Sequence, residues 1–173
     1  SQEPMIKMAL NLLSVKTASI PVGIFMSTLH SPFFGFEFPP KQEVSDLEYK
    51  LRRKRFLSLP SDPMKALGGS SPKIIKLAED LKSWAVNNKK ILPSQWAEEL
   101  SDFLKTSGWP GSQVNSTGDN KQSLLSKRHQ AFEAWKDCLN QLCSLNQILG
   151  AISRREALNH LNQIARNQPF QIK

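Results

Sequence analysis

Residues that form disulfides, bind metals or carry out catalysis are scarce in this chain. The 173 residues include two cysteines, three histidines and one tyrosine. Cys138 and Cys143 fall in one strongly helical stretch, where their spacing turns the side chains about 140° apart and excludes a disulfide between them. Because no disulfide is expected, both thiols should be reduced and partly buried. The cysteines and histidines show no metal-ligand spacing, so we expect no bound metal and no cofactor.

Long apolar runs are also absent. The longest run, Ile20 to Met26, contains a proline and a glycine and falls far short of the roughly 18 residues of a membrane span. The first residues, Ser-Gln-Glu-Pro, lack the basic and apolar regions of a secretory signal. We therefore expect a cytoplasmic protein that is not embedded in a membrane.

No motif for phosphate binding or catalysis is found. The sequence lacks G-x-x-x-x-G-K-[ST], and residues 68–71 are interpreted as a turn before a helix N-cap rather than as a phosphate site. Glu98, Glu99 and Asp102 lie on the polar side of an amphipathic pattern, which is typical of a solvated face. His129 has polar neighbours and no adjacent nucleophile. The chain is therefore not expected to be an enzyme by itself.

Helical patterns recur along the chain, whereas patterns typical of β-strands are nearly absent. Prolines at helix starts, capping boxes and apolar residues three or four positions apart predict an all-α fold, an irregular bundle of about seven or eight helices. The predicted helices begin at Pro4, Pro21, Ser45, Asp62-Pro63, Ser71-Pro72, Pro93, Lys121 and Ser153.

Several boundaries follow from the local sequence. Ser45 and Glu48 fit a capping box, and the helix that they open is predicted to end near Leu57. Apolar residues from Lys121 to Leu149 predict one long helix. The polar stretch 112–120 predicts a flexible loop. One helical domain is expected to span residues 1–173.

Positive charge is what the sequence has in excess. The chain carries 23 Lys and Arg against 15 Asp and Glu, for a net charge of +8, which favours polyanionic partners. Residues 41–90 alone hold 12 Lys and Arg against 6 Asp and Glu. We expect this region to contact DNA phosphates without reading the base sequence. The candidate contacts are Lys50, Arg52, Arg53, Lys54, Arg55, Lys73, Lys76, Lys89 and Lys90.

Two features of this region leave alternatives open. Cations near a helix C-terminus also complement the helix dipole, so the run from Lys50 to Arg55 is equally typical of a solvated helix end. Tryptophans stack on bases in some nucleic-acid sites, but Trp84, Trp96 and Trp135 fit apolar stripes and are expected in the core. Trp109 alone stays open between the two interpretations.

Short stretches of sequence form a series along most of the chain. The stretches are Leu29-His30-Ser31-Pro32-Phe33-Phe34-Gly35, Leu47 through Leu51-Arg52-Arg53, Trp96 with Leu100 and Leu104, Gly108-Trp109-Pro110-Gly111, Gln130-Ala131-Phe132-Glu133-Ala134-Trp135, Glu156-Ala157-Leu158 and Pro169-Phe170-Gln171. In their order and approximate spacing they resemble a bacterial family described as probable DNA repair proteins, which are similar to the B subunit of the AddAB helicase–nuclease.

The resemblance implies a parent protein with the plan of a superfamily-1 helicase and a C-terminal nuclease domain of the PD-(D/E)XK type. This chain resembles the helical accessory subdomain of such proteins, so it is expected to be an excised piece without catalytic residues of its own. The implied partners are DNA, other domains of the parent chain and a partner helicase subunit. The alternative is a purely structural protein-interaction module that uses Phe33, Phe34, Phe36 and Phe38 as its contact surface.

Overall fold

The computed structural model describes residues 3–17, 19–34, 40–111 and 120–168. These residues contain seven helices of nine residues or more, two helices of four residues and two strands of two residues. The predicted all-α fold is confirmed. The elements are α1 (Pro4–Leu13), α2 (Val22–His30), α3 (Lys41–Arg53), α4 (Met64–Leu67), α5 (Pro72–Ala85), β1 (Lys90–Ile91), α6 (Pro93–Thr106), α7 (Asn120–Ser144), α8 (Asn146–Leu149), β2 (Ile152–Ser153) and α9 (Arg154–Asn167).

The helices form two compact units, each with its own buried apolar residues. The terminal unit contains α1, α6 to α9 and both strands, and α6 and α9 pack on α7. The middle unit contains α2 to α5 and the turn Ser107–Gly111, and α2 packs on α3. The single domain expected over residues 1–173 stays a prediction. The predicted flexible loop 112–120 lies outside the described residues except for Asn120, which begins α7.

Two helix starts show how the local sequence sets the boundaries. Before α1, the Glu3 carboxylate accepts the Met5 N–H at 2.8 Å, and Pro4 stands where no intrahelical donor is needed. Before α9, Ser153 and Glu156 form the predicted capping box, in which the Glu156 carboxylate accepts the Ser153 N–H at 2.8 Å. Hydrogen bonds from Ser153 hold the pKa of Glu156 below its ordinary value.

The capping box predicted at Ser45 is wrong. The helix begins four residues earlier, at Lys41, directly after Pro40. Lys, Gln and Glu at positions 41–43 are good helix formers, and Val44 extends the buried stripe of Leu47 by one turn. Ser45 is therefore an exposed residue inside α3.

The long helix predicted up to Leu149 is interrupted. It ends at Ser144, and after one turn residue α8 begins at Asn146. The Asn146 side chain accepts the Ser94 N–H at 2.9 Å and donates to the Ser94 hydroxyl at 2.8 Å. This contact joins two residues that are 52 positions apart, and it holds the start of α8 against the first turn of α6.

The two short strands were not anticipated by the sequence pattern. They pair antiparallel, with Lys90 opposite Ser153 and Ile91 opposite Ile152. Strands of two residues are too short for an alternating pattern to reveal them.

Among the described residues, none of the helices combines the length and the hydropathy that are needed to cross a bilayer.

Candidate nucleic-acid interface

The nine predicted DNA contacts are divided between the two units. Seven of them lie in the middle unit, whereas Lys89 and Lys90 belong to the terminal unit. The middle unit carries eleven Lys and Arg against seven Asp and Glu, which gives it +4, half of the total charge. The charge that is concentrated along residues 41–90 is therefore not gathered on one compact unit.

The C-terminus of α3 is closed by a Schellman motif. The Phe56 N–H donates to the Leu51 carbonyl at 3.2 Å, and the Arg55 N–H donates to the Arg52 carbonyl at 2.9 Å. Arg55 takes the left-handed position of the motif, with a φ of 54°, where glycine is the usual residue. The predicted helix end at Leu57 is wrong, because this left-handed residue turns the chain out of the helix.

Four exposed cations surround this motif: Arg52, Arg53, Lys54 and Arg55. We call these four residues the α3 cationic end. The Arg52 guanidinium lies 2.5 Å from a Glu48 carboxylate oxygen. Arg53, Lys54 and Arg55 take part in no ion pair within the part of the chain that the structure describes. A helix C-terminus carries only about half a negative charge, so three cations without an ion pair among the described residues exceed what the dipole can balance.

Glu48 connects the α3 cationic end to α2. Its second carboxylate oxygen lies 2.8 Å from Nε2 of His30, the last residue of α2. The hydrogen bond with His30, followed by the one with Arg52, holds the pKa of Glu48 below its ordinary value. Arg52 is therefore partly neutralised by a carboxylate of its own helix. It is a weaker candidate for contact with DNA phosphates than the three residues that follow it.

Other predicted contacts are engaged within their own units. Lys50 is half-buried and donates to the Gly68 carbonyl at 2.9 Å, which joins α3 to the turn before α5. Lys76 pairs with Asp80 at 2.6 Å, and Lys89 pairs with Glu99 at 2.9 Å. Lys73 is exposed in the first turn of α5, and Lys90 is exposed in β1.

The turn at residues 68–71 does not leave the start of α5 open to a phosphate. A Glu43 carboxylate oxygen accepts the Ser71 N–H at 2.6 Å, so a negative group of the protein itself already lies at this helix N-terminus. The shallow cavity beside it, about 460 Å³, is lined by α3 residues and by Gly68, Gly69 and Ser70. This geometry favours the interpretation of residues 68–71 as a turn.

The tryptophans are buried and cannot stack on bases. Trp84, Trp96 and Trp135 are buried, as predicted, and Trp109 is buried as well, with 5% of its surface exposed. The open question about Trp109 is therefore answered in favour of the core.

Tyr49 is an exposed aromatic residue that was not among the predicted contacts, with 67% of its surface exposed. The signal was present, because Tyr49 lies off the buried stripe formed by Val44, Leu47 and Leu51. Leu57, just after the Schellman motif, is 90% exposed and was missed as well.

Arg55 offers a direct test of the strain at this helix end. We expect Arg55→Gly to raise the free energy of unfolding by about 0.5–1 kcal/mol, because relief of a left-handed side chain, about 1–2 kcal/mol, is offset by the greater freedom of unfolded glycine, about 0.5–1 kcal/mol. Urea denaturation followed by circular dichroism measures the change. Arg55→Ala, which removes the charge and keeps the strain, should not be stabilised. Equal stability of the two variants would contradict the strain argument.

The cysteines and the carboxylates of the described residues are not arranged to bind a metal. Cys138 is buried, and burial raises the pKa of its thiol to about 11. Cys143 is partly buried, and both thiols are free. Within the described ranges, no group of three or more His, Cys, Asp and Glu side chains is placed to hold a metal ion.

Comparison with protein-family models, with curated proteins and with solved structures gives no match to this chain.

Proposed function

We propose that this chain is a non-catalytic helical accessory module of a larger cytoplasmic DNA repair protein of the helicase or nuclease type. In this proposal it contacts the DNA backbone through the α3 cationic end, and it docks on other domains of the parent chain or on a partner helicase subunit. The observation that carries the proposal is a set of three exposed cations at one helix end, Arg53, Lys54 and Arg55, which form no ion pair with any residue that the structure describes.

Electrostatics supports this assignment. Each cation that neutralises a phosphate releases condensed counterions, so a cluster of exposed cations binds DNA independently of its base sequence. Arg55 adds a second argument, because a left-handed conformation is costly for any residue with a side chain. Strain of this kind is concentrated at functional positions. The cost at Arg55 is understandable if its guanidinium is used in binding.

The family resemblance points to the same helix. The stretch from Leu47 to Arg53 belongs to the series of similar motifs, and it covers the last two turns of α3. Two members of the α3 cationic end, Arg52 and Arg53, therefore fall inside the similar region. In this proposal the parent protein supplies the motor and nuclease chemistry, and the present chain positions DNA by backbone contact.

The alternative, a protein-interaction module, is weakened by the position of one of its contact residues. Phe34 is buried, with 1% of its surface exposed, and Phe33 is only partly exposed. Phe36 and Phe38 lie outside the described residues. Phe34 instead belongs to the buried apolar residues of the middle unit.

Neutralising three residues of the α3 cationic end tests the proposal. We expect the variant Arg53→Gln, Lys54→Gln, Arg55→Gln to bind labelled DNA roughly 10- to 100-fold more weakly at about 50 mM salt. The slope of log K against log salt should become shallower by about 2–3, because up to three phosphate contacts are lost. Fluorescence anisotropy at several salt concentrations measures both quantities.

A matched variant separates a local site from a general charge effect. Lys105→Gln, Lys127→Gln, Arg166→Gln removes the same number of positive charges from exposed positions of the terminal unit. It should retain nearly all of the affinity and of the salt slope. Equal losses in the two triple variants, or no binding of DNA by the unmodified chain at low salt, would reject the proposed interface.

A further inference from the structure

The exposed ring of Tyr49 lies next to the α3 cationic end. Arg53 follows Tyr49 by four positions and Arg52 by three, which places the three side chains on neighbouring positions of one helix face. Cβ atoms at such positions are about 5–6 Å apart. An aromatic face and a guanidinium are thus presented side by side on the surface of the middle unit.

The fold does not explain why Tyr49 is aromatic. The buried face of α3 is formed by Val44, Leu47 and Leu51, and Tyr49 is directed away from it. Within the described part of the chain, Tyr49 makes no hydrogen bond through its hydroxyl and no aromatic contact through its ring. Two thirds of its surface, 67%, is exposed to solvent. A side chain of this size on a solvated face is available for a ligand.

Charge decides which ligand fits this surface. The neighbours of Tyr49 on the side of the helix C-terminus are Arg52 and Arg53, which belong to the α3 cationic end, so the ligand is expected to be a polyanion with flat, apolar faces. Single-stranded nucleic acid has both properties, because its phosphates are accompanied by unpaired bases that stack on aromatic side chains. In a duplex the base faces are already stacked on one another.

We infer that Tyr49 and Arg53 form a stacking site for an unpaired base, so that the α3 cationic end binds single-stranded DNA in preference to duplex DNA. This inference rests on the proposed function, and it adds the class of substrate. The cations hold the backbone, and the Tyr49 ring supplies a contact that only a strand with accessible bases can use. Recognition is independent of sequence, since every base has a flat face.

Removing the ring tests the inference. We expect Tyr49→Ala to bind a labelled oligothymidylate about tenfold more weakly than the unmodified chain, and to bind a duplex of the same length with unchanged affinity. Tyr49→Phe keeps the aromatic face and should retain the affinity for the single strand. Because Tyr49 is exposed, none of these variants is expected to disturb the core, and urea denaturation checks that the stability is unchanged.

An abasic strand provides the matched probe. It has the same phosphates as the oligothymidylate but no bases, so the unmodified chain should bind it about tenfold more weakly, with no further loss in Tyr49→Ala. Binding of the abasic strand as tightly as the oligothymidylate would overturn the inference, as would equal losses for single strand and duplex in Tyr49→Ala. Both results would leave backbone binding, and with it the proposed function, intact. The absence of all DNA binding would reject both.

Discussion

Replacing Trp96 with alanine is expected to lower the free energy of unfolding by about 3–5 kcal/mol. Trp96 lies on the buried face of α6, in the first turn of the helix, and has 0% of its surface exposed. Its indole N–H donates to the carbonyl of Ile152 at 2.8 Å, a buried hydrogen bond that spans 56 positions of the chain. Truncation therefore leaves a large cavity and an unsatisfied carbonyl in the terminal unit.

Two further variants separate these contributions. Trp96→Phe retains most of the ring and loses the indole N–H, so we expect a loss of about 1–3 kcal/mol from the unpaired Ile152 carbonyl together with the smaller ring. Ile148→Ala is the control, because 77% of the Ile148 surface is exposed and such substitutions stay within about 0.5 kcal/mol. Urea denaturation followed by circular dichroism measures all three. A Trp96→Ala variant as stable as the control would contradict the placement of this ring in the core.

The helix starts that could be predicted are those that depend on local chemistry. Pro4, Pro72 and Pro93 stand at the first position of their helices, and Ser153 forms its capping box with Glu156. Such signals act over one helical turn and are visible in the sequence. The start of α3 was mispredicted because a serine inside a helix has the same local pattern as a cap.

The break before α8 illustrates what local sequence does not reveal. Nothing at Leu145 resembles a helix terminator, and the apolar spacing continues through it to Leu149. The interruption coincides with the contact between Asn146 and Ser94 on another helix. A pairing across 52 positions is a property of the tertiary structure, and the pattern within either segment is compatible with a continuous helix.

The positive charge of the candidate site was predictable from the sequence, but the contacts that its lysines make within the protein were not. The run from Lys50 to Arg55 was evident from composition, but the contact of Lys50 with the Gly68 carbonyl and the pairing of Lys89 with Glu99 depend on how each unit folds. These contacts separate cations that support the fold from cations that remain available. Tyr49, by contrast, was predictable from its position off the buried stripe of α3.

Gly111 closes the turn that follows Trp109 and Pro110, and it takes up a backbone conformation with a φ of 85°. A Cβ atom at this position would lie 3.0 Å from the Pro32 carbonyl oxygen and 3.2 Å from that of Phe33. These atoms belong to the backbone, so they cannot rotate away as the end of a flexible side chain would. Gly111 and the backbone of Pro32 and Phe33 therefore meet inside the middle unit.

We expect Gly111→Ala to lower the free energy of unfolding by about 1.5–4 kcal/mol. Left-handed strain, about 1–2 kcal/mol, is offset by about 0.5–1 kcal/mol because the unfolded chain loses the freedom of glycine, which leaves about 0.5–1 kcal/mol. Overpacking against backbone atoms adds about 1–3 kcal/mol. Gly69 provides the matched control, because its φ is 87° but no atom lies within 4 Å of the added Cβ. Gly69→Ala should therefore show only the strain less the lost freedom of unfolded glycine, about 0.5–1 kcal/mol. Urea denaturation of the two variants measures the difference, which isolates the contact with residues 32 and 33. Equal destabilisation would mean that the backbone at Pro32 and Phe33 yields to the methyl group, and that this contact does not constrain residue 111 to glycine.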